Sequence, residues 1–272
     1  MPSKLIQKYM REEHLPHIWC PGCSHGSFMR AVAVAVDRLG LDHDKVVFVS
    51  GIGCSSRSAG YMDFNTIHTT HGRAFAFATG IKMANPELEV ILFTGDGDAS
   101  AIGGNHLIHA CRRNIGITTL VMNNNIYGMT GGQYSPTTPT GEFGTTAPYG
   151  NIDRDFDIAE LAKAAGATFT ARANTYDLNQ ATNLIQKAIE HKGFSLVDCL
   201  SICPSYYARK NKKGDAVKMM QWQKEHTVSV QKAQNMTEEE LQDKIVCGVL
   251  CDYDYPEYTE KYQQIIDRVR KD

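Results

Sequence analysis

The stretch Gly95–Gln133 constrains this chain more than any other. It reads GDGDASAIGGNHLIHACRRNIGITTLVMNNNIYGMTGGQ and follows Glu89–Thr94, a short apolar run rich in strand formers. After the glycines comes a helical segment, Asn105–Arg113, and Ile117–Met122 reads as a second strand ending in three asparagines. A strand, a crossover helix and a second strand make a βαβ unit, whose two strands run parallel. Asp96 and Asn124 therefore both fall just past carboxyl ends of strands, the edge at which open α/β sheets bind ligands.

The residues at that edge carry chemistry. Asp96 offers a carboxylate, Asn124 an amide oxygen and Ile126 a backbone carbonyl. Three oxygens, one of them charged, suit Mg²⁺, which takes hard oxygen ligands and fills its remaining positions with phosphate and water. Gly95 and Gly97 let the backbone approach a phosphate, and the following helix turns its N-terminus toward the anion. The stretch thus reads as a pyrophosphate–Mg²⁺ clamp. The rival dinucleotide fingerprint fails at its third glycine, where Ser100 stands, and no phosphate-loop GK[ST] occurs.

GDG, the spaced asparagines and the YGMTGGQ ending together look like the thiamine-diphosphate signature. The fuller text resembles the β subunit of 2-oxoacid:ferredoxin oxidoreductases, and the match runs from about His17 to Cys203. The resemblance implies an α/β fold with a parallel sheet flanked by helices, of the diphosphate-binding type. It implies that Asp96, Asn124 and the Ile126 carbonyl hold Mg²⁺, and that Gly97, Asp98, Gly128 and Met129 lie against thiamine diphosphate.

Eight cysteines need a second account. Trp19-Cys20-Pro21-Gly22-Cys23 admits three readings: a thioredoxin-type redox pair, half of a zinc site, or half of an iron–sulfur site. The redox pair needs a preceding strand within a βαβ pattern, and too little chain comes before it. Cys54 ends the turn after a strand at Val46–Ser50, on the same edge as Asp96 if the strands are parallel. A lone cysteine there is usually a core filler. The family resemblance reverses that, because its members carry CPGC, GIGCS and a distal cysteine that together bind one [4Fe–4S] cluster through four thiolates. For the fourth ligand, Cys111 falls on the crossover helix, Cys199 within a strand at Phe194–Cys199, and Cys247 and Cys251 in core or interface positions. Cys203 lies just past a strand end and matches the family's distal cysteine, so the expected set is Cys20, Cys23, Cys54 and Cys203, with Cys199 as runner-up. The resemblance also sets Ile52, Gly53, Cys54, Ser55 and His71 against the cofactor. Arg57 reads as a bidentate holder of a substrate carboxylate, a solvated arginine being the alternative, and Arg57 and His71 are the expected catalytic residues.

The remaining sequence bounds the setting. A formal net charge of −2 gives no reason to expect nucleic acid. Apolar runs such as Ala31–Val36 are too short to span a bilayer, the N-terminus has no signal-like apolar region, and a cytoplasmic location is expected. Residues 1–204 are expected to form the thiamine-diphosphate-binding domain with its N-terminal Cys-x-x-Cys arm, and 205–272 an extension packing on it or on a partner. Tyr134–Asn151 is long for a loop in a compact domain, which favours a functional or interface role. The basic run Arg209–Lys213 reads as a solvated face or as a dock for an acidic carrier such as ferredoxin. Tyr258, Tyr262, Ile265, Ile266 and Val269 follow helical spacing and read as a packing face.

The implied activity is CoA-dependent oxidative decarboxylation of a 2-oxoacid, reversible, with electrons passing through the cluster to ferredoxin. NHLIHACRRN and NNNIYGMTGGQ look most like the 2-oxoglutarate members, which form succinyl-CoA and CO₂; a pyruvate or broad-range member is the alternative. The chain has length for only the diphosphate half of such a site, so an α subunit carrying the pyrimidine domain, in an αβ or (αβ)₂ assembly, is expected. From other classes, the rivals are an iron–sulfur or zinc-binding electron-transfer or interaction subunit without its own catalysis. A different thiamine-dependent enzyme, such as a decarboxylase, is disfavoured by the four cysteines.

Overall fold

The computed structural model describes residues 4–270; the first three residues of the N-terminal arm and the last two of the C-terminal extension lie outside the described residues. Its frame is an eight-stranded sheet. The strands are β1 (Val46–Ser50), β2 (Asn65–His68), β3 (Glu89–Gly95), β4 (Thr118–Asn123), β7 (Phe169–Asn174), β8 (Ser195–Leu200), β9 (Thr227–Ser229) and β10 (Ile245–Asp252). Between β4 and β7, β5 (Ile126–Tyr127) and β6 (Gln133–Tyr134) form a separate small hairpin. The order in the sheet is β2-β1-β3-β4-β8-β7-β10-β9. The first six strands run parallel, β10 runs antiparallel to β7, and β9 is parallel to β10.

The parallel strands are apolar on both faces because helices cover both. In β3, Ile91 and Phe93 join one core while Val90 and Leu92 join the other, the period-2 alternation of a strand. Leu120 and Met122 of β4 likewise separate from Val121. Helices His25–Leu39 and Leu178–Glu190 cover the first face; Ala74–Ala84, Gly104–Arg113 and Ile158–Ala164 cover the second. Among the described residues no helix is long and apolar enough to cross a membrane.

Two features of this frame position the site. From β1 the chain goes to β2 on one side and then to β3 on the other, so the strand order reverses between β1 and β3 and opens a crevice at their carboxyl ends. The N-terminal segment is strapped to the body: Tyr9 and Met10 are buried, the Tyr9 hydroxyl donates to Asp37 at 2.8 Å, and the Arg11 N–H donates to the Tyr61 carbonyl at 2.9 Å. That path delivers Cys20–Cys23 to the same edge as the crevice.

The extension adds β9 and β10 to the far side of the same sheet. Its last helix, Tyr258–Val269, carries the predicted apolar stripe; Tyr258 packs against the second core and Ile266 is half-buried, while Tyr262, Ile265 and Val269 are 46, 49 and 65% exposed.

Candidate functional site

β3 and β4 are hydrogen-bonded neighbours with Gly95 opposite Met122, so Asp96 and Asn124 emerge close together at the carboxyl edge. Asp96 is 3% exposed, and its Oδ2 accepts the Ser135 hydroxyl at 2.5 Å and the Thr137 hydroxyl at 2.7 Å. Burial pushes its pKa up to about 6, and among the described residues no cation pairs with it. A buried carboxylate without a cation is unfavourable, and Mg²⁺ fits that deficit. Asn125 has a left-handed backbone (φ 61°) and turns the chain so that Asn124 Oδ1 accepts the Ile126 N–H at 3.3 Å. The turn is held by Asn125 Nδ2 donating to the Thr137 carbonyl at 2.8 Å and by the Thr138 hydroxyl donating to the Asn125 carbonyl at 2.6 Å. Asn124 Oδ1 keeps a second lone pair for a cation.

The two glycines beside Asp96 act differently. A Cβ at Gly97 would lie 2.2 Å from the Tyr127 ring, whose hydroxyl donates to the Gly97 carbonyl at 3.1 Å. A Cβ at Gly95 would meet Ser55 Oγ at 3.3 Å, which brings the turn bearing Cys54 against the turn bearing Asp96. Asp98 is buried and accepts from the Gly72 N–H at 2.7 Å and the Thr94 hydroxyl at 2.8 Å, and it also contacts His71 Nδ1. Its carboxylate is thus committed within the chain, and the partly exposed His71 is what that corner presents to the rim. Ile52 and Met129 stand 46 and 51% exposed at the same edge. Arg57 is exposed and has no ion-pair partner among the described residues; with burial, its charge holds the nearby His68 below the usual imidazole range.

The thiols of Cys20, Cys23, Cys54 and Cys203 come from three segments and face a common space. A Cβ at Gly128 would lie 3.6 Å from Cys54 Sγ and 3.8 Å from Cys203 Sγ. Cys203, Cys54 and Cys20 all act electrostatically on Cys23, whose pKa burial lifts to about 12; burial, with Cys203 and Cys20, lifts Cys54 to about 11. The buried Trp19 donates its indole N–H to the Cys54 carbonyl at 2.7 Å, Cys23 Sγ lies 3.0 Å from His25 Nδ1, and Ser24 Oγ accepts the Ile202 N–H at 2.8 Å. Among the described residues no three His, Cys, Asp or Glu side chains are grouped to hold a single metal ion. Four thiols within electrostatic reach of one another are a donor set that fits a [4Fe–4S] cluster, in which each thiolate binds its own iron. Cys199 lies wholly in the core with its thiol 3.6 Å from the Val197 carbonyl, and Cys111 is buried on the opposite face.

Ser135, Thr137, Thr138, Tyr127 and Trp19 are the residues sequence reasoning missed. The hydroxyl run Ser135-Pro136-Thr137-Thr138 was the available signal, inside a loop marked only by its length. A cavity of about 900 Å³ lies behind the Asn124 turn. It touches Asn125 and Thr137 but neither Asp96 nor any of the four thiols.

Residues 23–199 match the model of the thiamine pyrophosphate enzyme C-terminal TPP binding domain. The chain is 49% identical over 265 residues to 2-oxoglutarate synthase subunit KorB of Methanocaldococcus jannaschii, spanning 97% of this chain and 98% of that protein. It is 46% identical over 190 residues to 2-oxoacid:ferredoxin oxidoreductase subunit beta of Saccharolobus solfataricus, spanning 69% of this chain and 62% of that one. A solved 2-oxoglutarate:ferredoxin oxidoreductase from Magnetococcus marinus, with 2-oxoglutarate, coenzyme A and succinyl-CoA bound, matches with a TM-score of 0.88 at 32% identity, covering 99% of this chain and 92% of that chain.

Proposed function

The chain belongs to the β subunits of the 2-oxoacid:ferredoxin oxidoreductases, and from that premise we propose that it converts 2-oxoglutarate and coenzyme A to succinyl-CoA and CO₂. The balance is one 2-oxoacid anion plus one CoA thiol giving one acyl-CoA, one CO₂, one proton and two electrons, the electrons going singly to two ferredoxins. The relatives named for 2-oxoglutarate over nearly their whole length favour that substrate. One observation carries the reading: Ser55 abuts Gly95, so the turn with the Cys54 thiol touches the turn with the Asp96 carboxylate.

When bound, thiamine diphosphate supplies the carbon nucleophile and the electron sink that lets CO₂ leave, and a [4Fe–4S] cluster supplies a one-electron relay. Asp96, Asn124 and the Ile126 carbonyl would hold Mg²⁺, and Ser135 and Thr137 orient the carboxylate that does so. The Gly97 backbone, with Tyr127 packed on it, would lie against the diphosphate. Ile52, Gly53, Cys54, Ser55, Gly128 and Met129 would lie against the cofactor. Asp98 fixes His71 in orientation, and His71 contacts the cofactor. Arg57 holds a substrate carboxylate. Cys20, Cys23, Cys54 and Cys203 would hold the cluster. Residues 1–204 form the cofactor domain and 205–272 its extension. An α subunit supplies the grip on the pyrimidine ring. Eight cysteines, four of them read as cluster ligands, suit a reducing, cytoplasmic setting.

The test is anaerobic purification of the αβ complex. Thiamine diphosphate, Mg²⁺, and iron and acid-labile sulfide in equal amounts are expected. Viologen reduction should require CoA and run on 2-oxoglutarate. Turnover on pyruvate alone, or full turnover by this chain without a second polypeptide, would refute the reading.

A further inference from the structure

We propose that the surface formed by the Cys20–Cys23 loop and the basic segment Arg209–Lys218 is the docking site of a small acidic one-electron carrier protein. The inference rests on the cluster reading above and adds where the electron leaves. Cys20, Pro21 and Gly22 are exposed, while Trp19 and Cys203 are buried and Cys23 and Cys54 partly withdrawn. The thiol ring therefore reaches solvent at this loop. The C-terminal segment passes directly beside it: a Cβ at Gly22 would lie 2.5 Å from Ala216 Cβ and 3.5 Å from the Pro204 ring.

That segment carries cations on the stretch between Pro204 and Ala216, the two residues that contact Gly22. Arg209, Lys210, Lys212 and Lys218 form no ion pair among the described residues; Lys213 is paired, with Glu142 at 2.7 Å. The acid on this stretch, Asp215, accepts the Lys218 N–H at 2.9 Å as a helix cap. The surplus is local, because the whole chain carries a formal net charge of only −2. The turn is also preorganised. Asn211 Oδ1 accepts the Phe143 N–H at 2.7 Å, and its Nδ2 donates to the carbonyls of Phe143 and Tyr207, each at 3.1 Å. Two apolar residues adjoin the loop, Ile18 before it and Val217 next to Ala216, each 74% exposed. A small apolar centre with a cationic rim over a redox centre is complementary to an acidic carrier, and the opposite charges steer its approach.

The test uses the αβ complex carrying R209E, K210E and K212E together, with K187E, K232E and K261E together as a charge-matched control elsewhere. Binding of oxidised ferredoxin is measured directly by titration, at low and at high salt, alongside ferredoxin-dependent and viologen-dependent turnover. The triple variant should bind ferredoxin at least about tenfold more weakly at low salt, the gap closing as salt screens it. Its KM for ferredoxin should rise in step, while viologen reduction, iron content and α-subunit assembly stay as in the parent. Unchanged ferredoxin binding would overturn the proposal, as would an equal loss in the control triple variant or release of the α subunit. Viologen reduction missing from the parent complex would instead count against the function reading, so the two failures are separable.

Discussion

Asp96 and Asn124 are joined by a single crossover helix, whereas Cys20, Cys54 and Cys203 arrive from the N-terminal strap, the end of the first strand and the segment after β8. The two groups share one sheet edge and touch through Ser55 and Gly95. They are held by different means. The Asp96 loop is fastened by side-chain hydrogen bonds from Ser135, Thr137 and Thr138. The thiols are graded from buried Cys203 through half-buried Cys23 and Cys54 to exposed Cys20, with His25 beside Cys23 and Trp19 holding the Cys54 backbone. The Asp96 loop is thus shaped by its own hydrogen bonds, whereas the thiol ring is set by the packing of three remote segments.

Asp96→Asn is the sharpest way to break the first region alone. It should weaken Mg²⁺-dependent thiamine diphosphate binding by more than about 100-fold, beyond the range typical of outer partners, while iron content stays unchanged; calorimetry and iron analysis on the αβ complex check both. Cys203→Ser should do the reverse, abolishing the iron chromophore while thiamine diphosphate still binds. Cys199→Ser should keep its iron and lose about 1–3 kcal/mol of stability by burying a hydroxyl in the core, read by denaturant unfolding. Iron loss in Cys199→Ser but not in Cys203→Ser would exchange their assignments. Ser135→Ala with Thr137→Val should weaken Mg²⁺ binding by about 10–100-fold, the cost of losing outer partners of a ligating carboxylate.

The smallest effect lies outside both regions and serves as a control. His191 joins the Thr168 hydroxyl, 2.6 Å from Nε2, to Asp252, 3.5 Å from Nδ1 on β10. Burial, outweighing Asp252 and Asp254, lowers its folded pKa below the ordinary 6.5. The unfolded chain therefore takes up the proton first as the pH falls. The stability this group contributes is complete above 6.5 and lost below it. Melting temperatures from pH 8 to 5 should show this decline in the parent and less of it in His191→Gln.

Much of the frame was legible from periodicity. Val46–Ser50 is both the predicted strand and β1, and the crossover helix predicted at Asn105–Arg113 begins one residue earlier, at Gly104. β2, β9 and β10 were not legible. β2 is a short edge strand with its ends exposed, and β10 carries a register shift between Val249 and Cys251 in a partly buried strand, so neither shows clean alternation. β7 is similarly masked, since polar Arg172 and Asn174 interrupt the alternation in its second half.

By itself the sequence determined the βαβ unit, the family and the residue types at the edge, because one crossover helix between adjacent strands fixes where Asp96 and Asn124 must emerge. Only the tertiary structure decided the rest. The strand order puts Cys54 next to Asp96, the strap carries Cys20 and Cys23 across the first face, and packing closes the Ser135–Thr138 loop over the carboxylate. Local spacing encodes contacts within one unit. Contacts between remote segments depend on which strands pair and which faces bury, and no single stretch of the chain records that.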